Sequence, residues 1–159
     1  MNQRLAAQAS IVLNRRARFD YAIDETYEGG LALMGSEVKS IRAGKVDIVD
    51  SFFAVEKGEL WMRQLYVAPF EQAKNFGHEP RRARKVLLHR REIAQLVASV
   101  KREGYTLIPI RIYLKEGRIK VEIGVAKGKK TVDKRRDIAK KTAEREARDD
   151  AGRARKGNF

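Results

Sequence analysis

The sequence has no cysteine, three prolines, one tryptophan and two histidines in 159 residues. Without cysteine there is no disulfide, no thiolate metal site and no cysteine nucleophile. Such usage suits a reducing, cytoplasmic compartment. No apolar run approaches the ~20 residues of a membrane-spanning helix. Met1–Leu13 lacks the long apolar stretch of a secretory signal. No membrane partner is expected. His78 and His89 are the only histidines available as proton carriers, and they stand far apart in the chain. No acidic residue sits in a recognisable catalytic motif. Gly128-Lys129-Lys130-Thr131 is a poor phosphate loop, because true ones place glycines five apart before Lys and Ser/Thr. Here Gly124 and Gly128 are four apart and a further lysine intervenes. No metal-ligand spacing is present. These absences point to a non-enzymatic binding protein with no cofactor, no metal and no small-molecule substrate.

What the chain has is positive charge: 35 Lys and Arg against 21 Asp and Glu, a net +14. That balance favours a polyanion, nucleic acid first and an acidic membrane surface second. The charge is uneven. Lys127–Phe159 carries +7 in 33 residues, and the other 126 residues carry the remaining +7. In this tail the only large apolar residues are Val132, Ile138 and Phe159. It cannot bury enough surface to offset chain entropy and reads as unfolded when alone.

The chain is organised around Arg118–Arg136. Ile119, Val121, Ile123 and Val125 alternate with Arg118, Lys120, Glu122 and Gly124, the period of a strand over a core. The strand then runs into Lys127-Gly128-Lys129-Lys130 and Asp133-Lys134-Arg135-Arg136. Upstream, Met1–Leu13 reads as a flexible arm. Tyr21, Ile23 and Tyr27 mark a strand that Gly29-Gly30 interrupts as a bend or bulge. Ser36 can cap a short helix near 36–43, with Gly44 past its end. Lys57-Gly58 suits a two-residue hairpin turn between Ser51–Glu56 and Glu59–Val67. Ala68–Arg84 is a long connection, and its Phe70 and Phe76 read as pins to the core rather than base-stacking platforms.

The firmest helix spans 90–102, with Ile93, Leu96, Val97 and Val100 on one face and Gly104 as its stop. Thr106–Leu114 is a strand with Ile108, Ile110, Ile112 and Leu114 on one face, and Pro109 marks an edge or a bulge. The class is mainly β: a small closed antiparallel barrel of about six strands with a basic C-terminal tail, since closure removes sticky edges. The domain limits are 1–13 for the arm, 14–130 for an RNA-binding barrel and 131–159 for the tail.

Three basic segments flank core elements: Arg15–Arg18, Arg81–Arg91 with Arg84 and Lys85, and Lys127–Arg136 with Lys127, Lys129 and Lys130. A small barrel can gather their ends on one face as a patch for a folded RNA backbone. The tail has a second pattern. Ala139, Ala143, Ala147 and Ala151 recur every four residues. Opposite charges stand at i, i+4 in Asp137–Lys141, Lys140–Glu144, Glu144–Arg148, Arg145–Asp149 and Asp149–Arg153. Each pair adds ~0.2–0.5 kcal/mol to an isolated helix, too little to nucleate a short one in water.

Four stretches together resemble the SsrA-binding protein family, also called small protein B: NRRARFDYAID (14–24), YEGGLALMGSEVKSIRAGKV (27–46), EPRRARKVLLHRREI (79–93) and GVAKGKKTVDKRRDI (124–138). They occur in the family's order. The resemblance implies an oligonucleotide-binding-type barrel that binds transfer-messenger RNA (SsrA RNA) and delivers it to stalled ribosomes for trans-translation. It implies a monomer in the RNA complex and contact with small-subunit ribosomal RNA. By motif match it places Asn14, Arg16, Arg18, Glu28, Lys39, Arg42 and Leu87 in segments of the RNA-binding face. It places Asp133, Lys134 and Arg135 in a tail motif that acts in the decoding centre. Glu28 could accept hydrogen bonds from base or ribose donors, or pair locally with Arg16 or Arg18. Leu87 reads as core or the floor of the patch. Family members often carry Tyr or His where this chain has Val132, and valine has no π face to stack.

The tail is therefore expected to be disordered alone and helical along a polyanion or on the ribosome. Circular dichroism of a 131–159 peptide should show a coil in plain buffer that gains helix on adding RNA. Strong helicity in buffer, unchanged by RNA, would overturn this.

Overall fold

The structure, a computed structural model, describes residues 10–70, 77–129, 135 and 138–148. Its elements in chain order are β1 (Ser10–Leu13), α1 (Ala17–Asp20), β2 (Tyr21–Leu31), α2 (Gly35–Arg42), β3 (Val46–Asp47), β4 (Phe52–Glu56), β5 (Glu59–Arg63), β6 (Tyr66–Val67), β7 (Arg84–Leu87), α3 (Arg90–Val100), β8 (Tyr105–Lys115) and β9 (Arg118–Gly128). Seven strands form one antiparallel sheet in the order β1-β8-β9-β2-β7-β5-β4, and β3 pairs with β6. The mainly β class holds, with α2 and α3 in the expected places.

The barrel does not close by hydrogen bonds. The sheet ends on β1 and β4, and β4 only lies against β8. Asn14 extends the β1–β8 pairing by donating its backbone N–H to the Ile110 carbonyl at 2.8 Å and its side-chain amide to the Pro109 carbonyl at 2.8 Å. Of the expected arm, residues 10–13 pair with β8 as β1. β7 forms from the Arg84-Lys85 segment read as part of a loop, because Val86 buries between β2 and β5.

The alternation of β9 is realised: Ile119, Val121, Ile123 and Val125 all enter the main core, with Leu60, Met62, Leu65, Val67, Val86 and Leu96. β8 departs from expectation. Its register shifts between Pro109 and Arg111, where proline has no N–H to donate. The shift moves side chains from one face to the other. Leu107 and Ile112 join the main core, while Ile108 packs outside it with Ala17 and Ala126. Gly29-Gly30 do not bend β2, which is continuous through Leu31; its irregularity lies between Ile23 and Glu25. A Cβ on Gly29 would sit 2.6 Å from the Val86 side chain, so close packing requires the glycine. The Lys57-Gly58 turn is as expected, with both φ angles positive (51° and 75°) as a type I′ hairpin demands.

Ser36 does not cap α2. Met34 is the N-cap, and its N–H is taken by the Glu37 side chain at 2.8 Å. Ser36 instead hydrogen-bonds His78 Nδ1 at 2.9 Å, and His78 Nε2 donates to the Val67 carbonyl at 2.9 Å. Glu37 is fully buried with Arg84. The Arg84 Nε donates to Glu37, and its other donors reach the carbonyls of Leu65 (2.7 Å), Arg82 (3.0 Å) and Pro80 (3.2 Å). Burial raises the Glu37 carboxyl pKa, but hydrogen bonds from Arg82, Met34 and Arg84 outweigh it and leave the pKa lowered.

Glu37→Gln should destabilise the fold by about 3–5 kcal/mol, because Arg84 stays buried without its counter-charge. The Glu37 pKa is lower folded than unfolded, so its contribution is complete above the unfolded value and fades as pH falls through the folded one. Urea unfolding of both chains should therefore show a gap at pH 7 that narrows in acid. A gap that is absent, or constant with pH, would refute this role.

Candidate nucleic-acid interface

Because Val121 and Ile123 point inward, Lys120 and Glu122 must point outward. The register then sets their neighbours: Glu28 opposite Glu122 opposite Arg111, and Gly30 opposite Lys120 opposite Tyr113. The outer face of β2, β9 and β8 is thus polar and mixed in charge. Arg111 Nε donates to Glu122 at 2.6 Å, and its guanidinium lies 4.1 Å from the Tyr113 ring centre. The Tyr113 hydroxyl donates to Glu28, which also accepts from Lys115 Nζ at 3.2 Å. Burial raises the Glu28 pKa, but these hydrogen bonds and the Lys115 and Lys120 charges outweigh it, so the carboxyl titrates below its ordinary value. Burial and the Glu28 carboxylate push the Tyr113 hydroxyl far up, so it remains a donor.

The face continues on both sides of Glu28. On one side Leu87, 51% exposed, shares a cleft with Gly30, His89 and Lys120. Beyond it the α2 residue Arg42 donates to the Gly117 carbonyl at 3.4 Å. Lys39 stands 5.2 Å from the Phe70 ring centre, so Phe70, half-buried, serves as the cation's platform. On the other side Arg18 shares a cleft with Glu28, Arg111 and Tyr113. The Arg18 carbonyl accepts from Lys129 Nζ at 2.8 Å, and Lys129 N–H donates to Asp20 at 2.9 Å.

The sequence-predicted residues divide accordingly. Glu28 is central, but it pairs with Lys115 and Tyr113 rather than with Arg16 or Arg18. Arg18, Arg42 and Leu87 lie along the face, while Lys39 is exposed on α2 beside Phe70. Leu87 is an exposed part of it rather than core. Asn14 is committed to backbone contacts. Arg16 is exposed, 3.8 Å from Asp20. Lys127 is exposed, 6.0 Å from the Tyr105 ring centre.

Arg84 is a correction: at 0% exposure it cannot touch a ligand, and its charge is used by Glu37. Arg82 also turns towards Glu37. Lys85 pairs with Glu59 at 3.2 Å. Of the three basic segments, therefore, the ends of Arg15–Arg18 and Lys127–Lys129 meet, while Arg82 and Arg84 face inward. Lys130, Asp133, Lys134 and Phe76 lie outside the described residues. Arg135 and residues 138–148 are helical and exposed. Arg111, Tyr113, Lys115, Lys120 and Glu122 were not singled out from sequence. The β9 alternation already put Lys120 and Glu122 on the outer face, and the β8 alternation put Arg111 and Tyr113 opposite Ile112 and Leu114; which of them meet Glu28 depends on the strand register.

Among the described residues, no group of three or more Asp, Glu or His could hold a metal, and no helix is long and apolar enough to cross a membrane.

A family model described as SmpB protein matches residues 11–153. An SsrA-binding protein of Geobacillus thermodenitrificans is 54% identical over 136 residues, covering 86% of this chain and 88% of its own. One from Roseiflexus castenholzii is 55% identical over 133 residues, covering 83% and 84%. A solved structure described as "tmRNA-SmpB: a journey to the center of the bacterial ribosome" is similar with a TM-score of 0.64 and 52% identity, covering 77% of this chain and 87% of that one.

The Tyr113 hydroxyl should hold the Glu28 carboxylate in its charged form. Tyr113→Phe should raise the Glu28 titration midpoint, followed by the side-chain carboxyl 13C shift against pH. An unmoved midpoint would show that the hydroxyl does not act on it.

Proposed function

The chain belongs to the SmpB protein family, and on that premise we propose how it works. It binds transfer-messenger RNA and brings it to stalled bacterial ribosomes for trans-translation. The folded domain holds the structured RNA, and the cationic tail, through Asp133, Lys134 and Arg135, acts in the decoding centre against small-subunit ribosomal RNA. The observation that carries this division is the Glu28-centred face, which reaches through Arg18 to Lys129, where the tail begins. Arg18, Lys39, Arg42, Lys115 and Lys120 supply the charge for phosphate; Leu87 supplies an apolar contact between them. Val132 leaves the tail to work by charge rather than by stacking.

The protein acts without catalysis, in the cytoplasm, as a monomer on its RNA. One feature supports the absence of catalysis. His78 is buried with both ring nitrogens bonded, to Ser36 and to the Val67 carbonyl, so it is a structural residue rather than a proton carrier. His89 lies beside Leu87 and Lys120 on the RNA face.

Binding of transfer-messenger RNA should weaken with salt. With ~5–8 phosphate contacts, log affinity should fall against log salt with a slope of roughly −4 to −7. Unrelated folded RNAs at equal concentration should displace it poorly in a filter-binding competition. Equal displacement by any folded RNA would replace this reading with that of a general basic RNA-binding protein.

A further inference from the structure

We propose that the cleft between Arg18, Thr26, Glu28, Arg111, Tyr113 and Glu122 is a pocket for one unpaired guanine of the bound RNA. The inference rests on the RNA-binding reading and specifies what that face reads. The cleft encloses about 460 Å³, within the ~300–1,000 Å³ of small-ligand pockets. Its two carboxylates are register partners, Glu28 on β2 and Glu122 on β9. Each is held from the β8 side: Glu28 by Tyr113 and Lys115, Glu122 by Arg111. An ionised carboxylate has about four acceptor sites and no donor. The partners that orient these two leave acceptor capacity for a ligand.

What such a pocket can take follows from its charges. Its two carboxylates are balanced by Arg18 and Arg111 in the lining, so the cleft carries no net charge to draw in a phosphate; the backbone stays at the rim with Lys115 and Lys120, and a neutral base enters. The Watson–Crick edge of the base decides which one. Guanine presents two adjacent donors there, N1–H and the N2 amino group, which a carboxylate can accept together. Uracil has one N–H between two carbonyls, and adenine and cytosine pair an amino donor with a ring acceptor. Each of those three would turn a lone pair towards an anion. Arg111, whose guanidinium lies 4.1 Å from the Tyr113 ring centre and donates to Glu122, places a guanidinium in the cleft against which a base can stack. Tyr113 is a positioning residue in this arrangement, acting through Glu28.

Inosine lacks the N2 amino group and tests the pocket directly. Transfer-messenger RNA would be prepared with single guanine-to-inosine replacements at its unpaired positions and bound to the full chain. At one such position inosine should weaken binding by about tenfold, the loss expected when a charged acceptor forfeits a hydrogen bond. With Glu122→Gln or Glu28→Gln the same replacement should cost less than about twofold. Tyr113→Phe, which keeps the ring and every charge, should give an intermediate loss and provides the test should a glutamate variant not fold. Inosine tolerated at every unpaired guanine would overturn the pocket while leaving RNA binding intact. So would a penalty that persists undiminished in all three variants. Failure of the unmodified RNA to bind would overturn the RNA-binding reading itself.

Discussion

Glu37 and Arg84 meet out of water, and the fold is arranged to let them. Removing such ions from water costs several kcal/mol each, about what their attraction can return only if every donor finds a partner. Here each nitrogen of the Arg84 guanidinium has one: besides Glu37 it reaches three carbonyls. The pair ties α2 to β7 across 47 residues of chain. It thereby fixes the helix that carries Lys39 and Arg42 relative to the strand that carries Leu87. His78 adds a second brace, linking Ser36 at the start of α2 to β6. The proposed RNA face is positioned by this buried node.

That face is built by the same alternation that builds the core. Ile119, Val121, Ile123 and Val125 face inward, so Lys120 and Glu122 face outward. The bulge at Pro109 gives β8 its own assignment, with Ile112 in the core and Arg111 and Tyr113 outside. The face has acids within it as well as bases. Each acid is held by a neighbour on β8, so the surface presents fixed acceptors between fixed cations. A uniformly cationic surface would hold any polyanion; one with placed carboxylates can prefer some nucleotides over others.

Much of this was legible in the sequence, because it is local. The β9 pattern, the Lys57-Gly58 turn and α3 depend on periodicity and backbone preference within a few residues. The errors have a common cause in distant partners. Arg84 sits in a run of bases and reads as surface; only Glu37, far upstream, makes it core. Ser36 has the chemistry of a cap but is used by His78. Gly29-Gly30 read as a break because glycine has two uses, and the need for close approach to Val86 is visible only once β7 lies beside β2.

The two hydrogen bonds from Lys129 to the Arg18 and Asp20 carbonyls give the tail a fixed root. Everything beyond it is measured from that point, at ~1.5 Å per residue where the chain is helical and up to ~3.6 Å where it is extended. On the proposed reading of the face, the chain works as a ruler whose zero mark is set beside the RNA. The number of residues between that mark and Arg135, more than their affinity for anything, sets how far from the bound RNA the tip can operate.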